Sequence, residues 1–167
     1  DSRTDALLNV LLVASVLLAT ASVAYAVAVP KQGEAFTEFY YLSETEEGEL
    51  VAAEYPTEYT LGESRPVVIG IGNHEHRPMN YTFVAKLQRV RVANNSTTVL
   101  ESTELDRRRV DLAANETRHF EYSIEPTMTG TRLRVLFLLY NEPPGASPTI
   151  ESAYRETHRF INVSEPS

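Results

Sequence analysis

The sequence predicts a mainly β protein: a single N-terminal hydrophobic α-helix followed by an immunoglobulin-like antiparallel β-sandwich of about seven or eight strands. Three observations carry that expectation. Ala6 to Val29, ALLNVLLVASVLLATASVAYAVAV, runs 24 residues without a charge. Everything after it alternates apolar and polar residues in short runs, with turn residues every ten or so positions. No later stretch carries a convincing helical period. The implied organisation is a hydrophobic transmembrane or assembly helix over residues 1–30 and an extracytoplasmic β-sandwich over 31–167.

At about 1.5 Å per residue the apolar helix reaches about 36 Å, beyond the roughly 30 Å of a bilayer core. It is too long for the apolar region of a typical signal peptide, although Val27-Ala28-Val29-Pro30 offers small residues for cleavage. The chain opens on Asp1 and not on Met, so Asp1 is expected to follow a cut, made in the cell or by truncation of a longer chain. Ser15 and Ala19 are four apart, as are Ser22 and Ala26, a spacing that lets helices approach closely. Pro30 is expected to end the helix.

The β region follows in order. Ala35 to Leu42, AFTEFYYL, is aromatic-rich and reads as the first strand. Ser43 to Glu49 reads as an acidic turn and Glu54 to Glu63 as a loop. Arg65 to Asn73, RPVVIGIGN, is a β-branched run broken by glycines, as in a buried strand, and His74 to Pro78 is a polar turn. Met79 to Val92 places Tyr81, Phe83, Ala85 and Leu87 on one face and Asn80, Thr82, Lys86 and Gln88 on the other. Asn94-Asn95-Ser96 is a hairpin turn, and Thr97 to Leu105 returns. Arg107 to Leu112 and Arg118 to Ile124 flank a turn at Ala113 to Glu116. Gly130 to Tyr140 starts half-exposed, with Arg132 and Arg134 alternating against Leu133 and Val135, and ends apolar on both faces, so another segment must cover Leu136 and Leu138. A loop at Pro143 to Pro148 and a short helical turn near Ile150 to Tyr154 lead into a last strand, Tyr154 to Val163.

Composition narrows the function. The 137 residues after the helix suffice for one domain with a real core. Cysteine is absent, so no disulfide or thiolate contributes. The net charge is −8, and of 15 basic residues only Lys31 and Lys86 are lysines. A glutamate-rich, lysine-poor surface stays hydrated in high salt and is expected of a salt-adapted archaeon. Nothing resembles the basic stripe that nucleic acid requires.

Asparagine sequons are the most informative motifs: Asn80-Tyr81-Thr82, Asn94-Asn95-Ser96, Asn95-Ser96-Thr97, Asn115-Glu116-Thr117 and Asn162-Val163-Ser164. With 8 asparagines and 28 serines and threonines in 167 residues, chance would supply roughly 1.3. N-linked glycans at Asn80, Asn94, Asn95, Asn115 and Asn162 are therefore expected, with adjacent Asn94 and Asn95 not both used. His74-Glu75-His76 is the only compact group of metal-ligand types, and on a strand both imidazoles would share a face. A third ligand would have to come from His119 or His158 on another strand. A polar turn is the stronger reading of these residues, so no metal, cofactor or catalytic residue is expected. Arg107-Arg108-Arg109 is a local basic spot, read as a turn balanced by Glu104 and Asp106.

Three stretches together carry a resemblance. EAFTEFYYL, YPTEYTLGESRPVVIGIGNHEHRPMNYT and LRVLFLLYNE followed by YRETHRFINV resemble the C-terminal part of an uncharacterised archaeal membrane-protein family found in haloarchaea and methanogens. Its members carry several N-terminal transmembrane helices, one further helix, then an extracytoplasmic domain with an asparagine-histidine-glutamate motif, here Asn73-His74-Glu75. The family has no assigned activity, so the resemblance implies topology and origin and no catalytic residues.

The combined expectation is a non-enzymatic cell-envelope protein. In it a glycosylated sandwich outside the membrane is held by one helix and packed with copies of itself or with other envelope proteins. The alternative is a pilin-like filament subunit whose core is that helix, with Asp5 where such subunits carry an acid. A metal-dependent module or enzyme built on His74, Glu75 and His76 is the least favoured reading.

Overall fold

The computed structural model describes residues 2–28, 33–45, 47–52 and 55–167, and the side chains of the helix as far as residue 21. The chain divides into a helical unit, Asp1–Glu34, and a β unit, Ala35–Ser167. Helix α1 spans Ser2–Ala28, with Asp5 in its first turn, where the positive end of the helix dipole favours an acid. The helix end expected at Pro30 and the boundary at 30/31 lie outside the described residues.

The β unit holds nine strands among its described residues: β1 (Phe36–Glu44), β2 (Leu50–Val51), β3 (Glu58–Thr60), β4 (Arg65–His74), β5 (Met79–Ala93), β6 (Ser96–Leu112), β7 (Thr117–Ile124), β8 (Gly130–Tyr140) and β9 (Arg155–Ser164). They form two sheets ordered β2-β1-β4-β7 and β3-β9-β8-β5-β6. This is the expected β-sandwich, with three differences. Two short pieces, β2 and β3, lie in segments that read as turn and loop. Their backbones pair with β1 and β9 although their sequences carry no alternation. The β3–β9 pair is parallel, against an otherwise antiparallel set. Finally, the two segments read either side of Asp106 are one strand, β6. The ladder opposite Ala85 and Lys86 skips Leu105, so the chain bulges and does not turn.

Alternation fills the core. Tyr81, Phe83, Ala85 and Leu87 of β5 are fully buried, as are Ile69 and Ile71 of β4 and Leu133, Val135, Phe137 and Leu139 of β8. Phe83 sits at the centre of an aromatic group, 5.3 Å from Phe120, 5.6 Å from Tyr122 and 5.7 Å from Phe137 between ring centroids. A second apolar cluster, Val84, Leu136, Leu138 and Tyr140, lies on the other face of the larger sheet. Ile150 and Ala153 pack on it, and Lys86 Nζ and the Tyr140 hydroxyl donate to the carbonyls of Pro148 and Thr149, each at 2.6 Å. This is the cover that the two-faced apolar end of β8 requires. The helical turn expected here is a single turn, closed by Ala153 N donating to Ile150 O. Arg134 is buried and not half-exposed, because its Nε donates to Gln88 Oε1 at 2.9 Å on the neighbouring strand.

Gly70 and Gly72 of β4 face away from the core and are nevertheless covered. Tyr40 of β1 lies flat across Gly70 and reaches His119 Nε2 on β7 at 2.7 Å. A Cβ at Gly70 would stand 2.3 Å from the Tyr40 ring. The glycines thus mark a close approach, not a weak strand.

Candidate functional site

The Asn73-His74-Glu75 motif sits where β4 ends, at the end of the sandwich where β1 begins. Asn73 is wholly buried. Its side-chain amide donates to the carbonyls of Arg77 (2.8 Å), Ala113 (3.0 Å) and Leu112 (3.3 Å), and its Oδ1 accepts from Glu75 N at 3.0 Å. Its backbone donates to Glu116 O and accepts from Asn115 N, both at 2.9 Å. One residue therefore ties the β4–β5 turn to the β6–β7 turn. An aspartate could not replace it, since a carboxylate has no N–H to give three carbonyls.

Past Asn73 the extended backbone breaks, and His76 takes φ 64°, in the left-handed region. The two-apart rule for a strand face therefore stops at His74. His74 stacks on Phe36, centroids 4.7 Å apart, with Nε2 3.5 Å from Glu38 Oε2. Glu75 turns instead to Thr37, Tyr154 and Arg155, and His76 is exposed. His119 is engaged by Tyr40 in the same sheet, and His158 lies in the other sheet, beside Glu156. Among the described residues no three His, Cys, Asp or Glu side chains gather as an ion would need.

The structure assembles a different group around Glu75. Its Oε1 accepts from Thr37 Oγ1 at 2.8 Å and from the Tyr154 hydroxyl. Having given its only proton to the carboxylate, Thr37 accepts from the Tyr81 hydroxyl at 2.7 Å. Arg155 Nε donates to Thr37 O at 3.3 Å, and its guanidinium lies 4.6 Å from the Tyr154 ring centre. Burial pushes the Glu75 carboxyl up, but the Tyr154 and Thr37 hydroxyls and the charges of Arg77 and Arg155 outweigh it and hold it below the usual carboxylate value. The bond to Glu75, with burial, raises the Tyr154 phenol. Burial also raises Tyr81. The Thr37, Tyr81 and Tyr154 hydroxyls are all spent within the domain, so the cluster ties β1, the β4–β5 turn, β5 and the start of β9 together.

Of this group only Glu75 was visible in the sequence. Thr37, Tyr81, Tyr154 and Arg155 come from separate segments with no shared spacing. The one hint was that tyrosines at inward strand positions need partners for their hydroxyls.

The sequons fall into two structural kinds. Asn94 and Asn95 occupy the β5–β6 turn at φ 52° and 61°, and Asn115 the β6–β7 turn at φ 63°. All three are exposed. Asn80 is exposed on β5. Asn162 is half-buried on β9, its Oδ1 accepting from Arg132 N at 2.9 Å and its Nδ2 donating to Glu58 Oε1 at 2.8 Å. The arginine triplet lies within β6, not on a turn: Arg107 pairs with Glu104 (2.7 Å), Arg108 with Asp106 (2.8 Å) and Arg109 with Asp111 (3.0 Å). Arg108 also donates to Glu121 O at 3.2 Å and lies over the Phe120 ring, closing the seam between the outer edges of β6 and β7.

Comparison with known proteins gives one family. The pattern described as "Domain of unknown function (DUF1616)" matches residues 30–162. No curated protein matches the chain. Among solved structures it is similar to the CARDB domain of the PF1109 protein from Pyrococcus furiosus, solved in complex with di-metal ions. Identity is 9%, coverage 81% of this chain and 97% of that one, and TM-score 0.47. It is also similar to a beta-glucosidase from Listeria innocua, at 13% identity and TM-score 0.47, covering 78% of this chain and 16% of the glucosidase.

Proposed function

The chain belongs to the DUF1616 family, and from that footing we propose that it is a non-enzymatic structural or interaction protein of the cell envelope. Its helix holds a glycosylated β-sandwich at the outer surface, packed against copies of itself or other envelope proteins.

The observation that carries the reading is the helix surface. Every described side chain from Ser2 to Ala21 is exposed, and the mean hydropathy over that span is 1.9. Leu7, Leu8, Val10, Leu11, Leu12, Val13, Val16, Leu17 and Leu18 are each more than half exposed. Covering them gains on the order of 15 kcal/mol at about 25 cal/mol per Å². The polar side chains do not oppose this: Ser15 Oγ donates to Leu11 O and Thr20 Oγ1 to Val16 O, each at 2.9 Å, so both hydroxyls are satisfied within the helix.

The second reading, a filament subunit, is favoured by the small residues Ser15 and Ala19, four apart on the helix. Cell shearing, electron microscopy of the released material and peptide mapping separate the two. Helical filaments containing this chain place α1 in a polymer core. A chain that stays in the pellet and needs detergent places it in lipid. A chain soluble without detergent in neither form overturns both.

A further inference from the structure

We infer that the N-glycans of this chain are carried by the turn sequons, at Asn95 and Asn115, and that the strand sequons at Asn80 and Asn162 stay bare. The inference rests on the envelope reading above, which places the β unit where glycans are added. It goes further by assigning the acceptors from the fold.

The transfer joins Asn Nδ2 to the anomeric carbon of a sugar carried on a polyprenyl phosphate. The carbon–oxygen bond to the phosphate breaks, its electron pair leaves on the lipid phosphate, and the amide gives up one proton to solvent. A transferase must enclose the whole Asn-X-Ser/Thr tripeptide to align the amide and the hydroxyl with that donor. What matters is therefore whether all three residues can leave the domain surface.

Strand alternation answers this differently at each sequon. In Asn80-Tyr81-Thr82 the asparagine points out, but Tyr81 is in the core at 0% exposure, hydrogen-bonded to Thr37. That tripeptide is laddered to Asp111, Val110 and Arg109 of β6, and Thr82 also to Tyr140 of β8. In Asn162-Val163-Ser164 the middle residue is again buried, Val163 at 4%. Both ends of the Asn162 amide are taken by Glu58 and Arg132, and β3 lies alongside. Using either sequon means pulling a core side chain and ladder hydrogen bonds out of the sandwich.

The turn sequons need no core side chain withdrawn: Ser96 and Thr97 pair only with Ala93 and Val92 of their own ribbon, and at the other turn only the backbone pairing of Asn115 and Glu116 with Asn73 and of Thr117 with Gly72 must open. Asn95, Ser96 and Thr97 are all exposed at the tip of the β5–β6 ribbon, beyond Gln88, the last β5 residue paired with β8. At the overlapping sequon the Ser96 hydroxyl already donates to Ala93 O at 3.0 Å, which favours Asn95 with Thr97 over Asn94 with Ser96. Asn115 and Thr117 are exposed, and Glu116 between them is half-buried at the surface of its turn.

The test is site mapping by tandem mass spectrometry, with the glycan left attached, on the chain purified from its source cells. Tryptic cleavage puts Asn94 and Asn95, Asn115, and Asn162 on three separate peptides, residues 92–107, 110–118 and 160–167. The expected result is glycan on Asn95 and on Asn115, with Asn80 and Asn162 unmodified. A Thr117→Ala variant, which leaves Asn115 in its turn, loses the Asn115 glycan completely. Glycan on Asn80 or Asn162 overturns the assignment and leaves the envelope reading standing. A chain with no glycan at any site overturns the assignment and the glycoprotein reading together.

Discussion

Asn73 offers the sharpest test of how this domain is held. Replacing it by alanine removes the amide that serves the carbonyls of Arg77, Ala113 and Leu112 and the acceptor for Glu75 N. An unsatisfied buried group costs about 1–3 kcal/mol. Three of these four partners lie at partly buried positions, where water recovers some of the loss, so the expected penalty is about 3 kcal/mol. For a β unit of this size the unfolding entropy is roughly 0.28 kcal/mol per kelvin, so the melting temperature should fall by about 10 °C. Asn73→Asp should be worse than Asn73→Ala, because it directs a charge at three carbonyl oxygens where alanine leaves only a gap. Thermal and urea unfolding of the full chain in detergent, followed by circular dichroism of the β signal, measures both. If both variants stay within about 0.5 kcal/mol of the parent, or aspartate is tolerated better than alanine, then Asn73 is not the tie between the two turns.

The remaining expectations follow from other contacts. Gly70→Ala should cost about 1–3 kcal/mol through its clash with Tyr40, and most of that cost should vanish in a Tyr40→Ala background; equal penalties in both backgrounds would deny the close approach. Glu75 is depressed in the fold, so its contribution is present above the ordinary carboxylate pKa of 4.5 and is lost as pH falls through its lower folded value. Acid titration of stability should therefore show a limb below pH 4.5 that Glu75→Gln flattens, whereas an unchanged limb would assign acid sensitivity elsewhere. Tyr154 has the opposite sign: its phenol is raised above 10.0, so its contribution holds below that pH and fades above it, and Tyr154→Phe should remove that alkaline loss. Phe137→Ala, which removes the ring packed against Phe83 and Tyr122, should cost about 3–5 kcal/mol in the same unfolding assay.

Local patterns were legible wherever one side chain's fate depends on its immediate neighbours. A 24-residue uncharged run can be stable only under apolar cover, and the helix Ser2–Ala28 follows. The alternation of Met79 to Val92 names the buried side of β5 because a strand repeats every two residues. The hairpin turns were readable because asparagine tolerates the left-handed backbone at Asn94, Asn95 and Asn115. The excess of polar and charged residues between Thr97 and Arg109 hid the continuity of β6, since a bulge at Leu105 leaves no composition of its own. The pieces β2 and β3 were equally hidden, because two or three residues carry no period and owe their strand backbone to β1 and β9.

The corner around Asn73 divides in the same way. That His74, Glu75 and His76 form a polar turn was readable from three adjacent residues. That Glu75 faces Thr37, Tyr81, Tyr154 and Arg155, and that His74 turns to Glu38 and Phe36, depends on partners up to 79 positions away. Sequence fixes helix, strand and turn here through sterics and burial between near neighbours. The partners of a buried carboxylate, and which asparagines stand clear of the ladder, are set when two sheets close over one core and bring distant strand ends within hydrogen-bond reach.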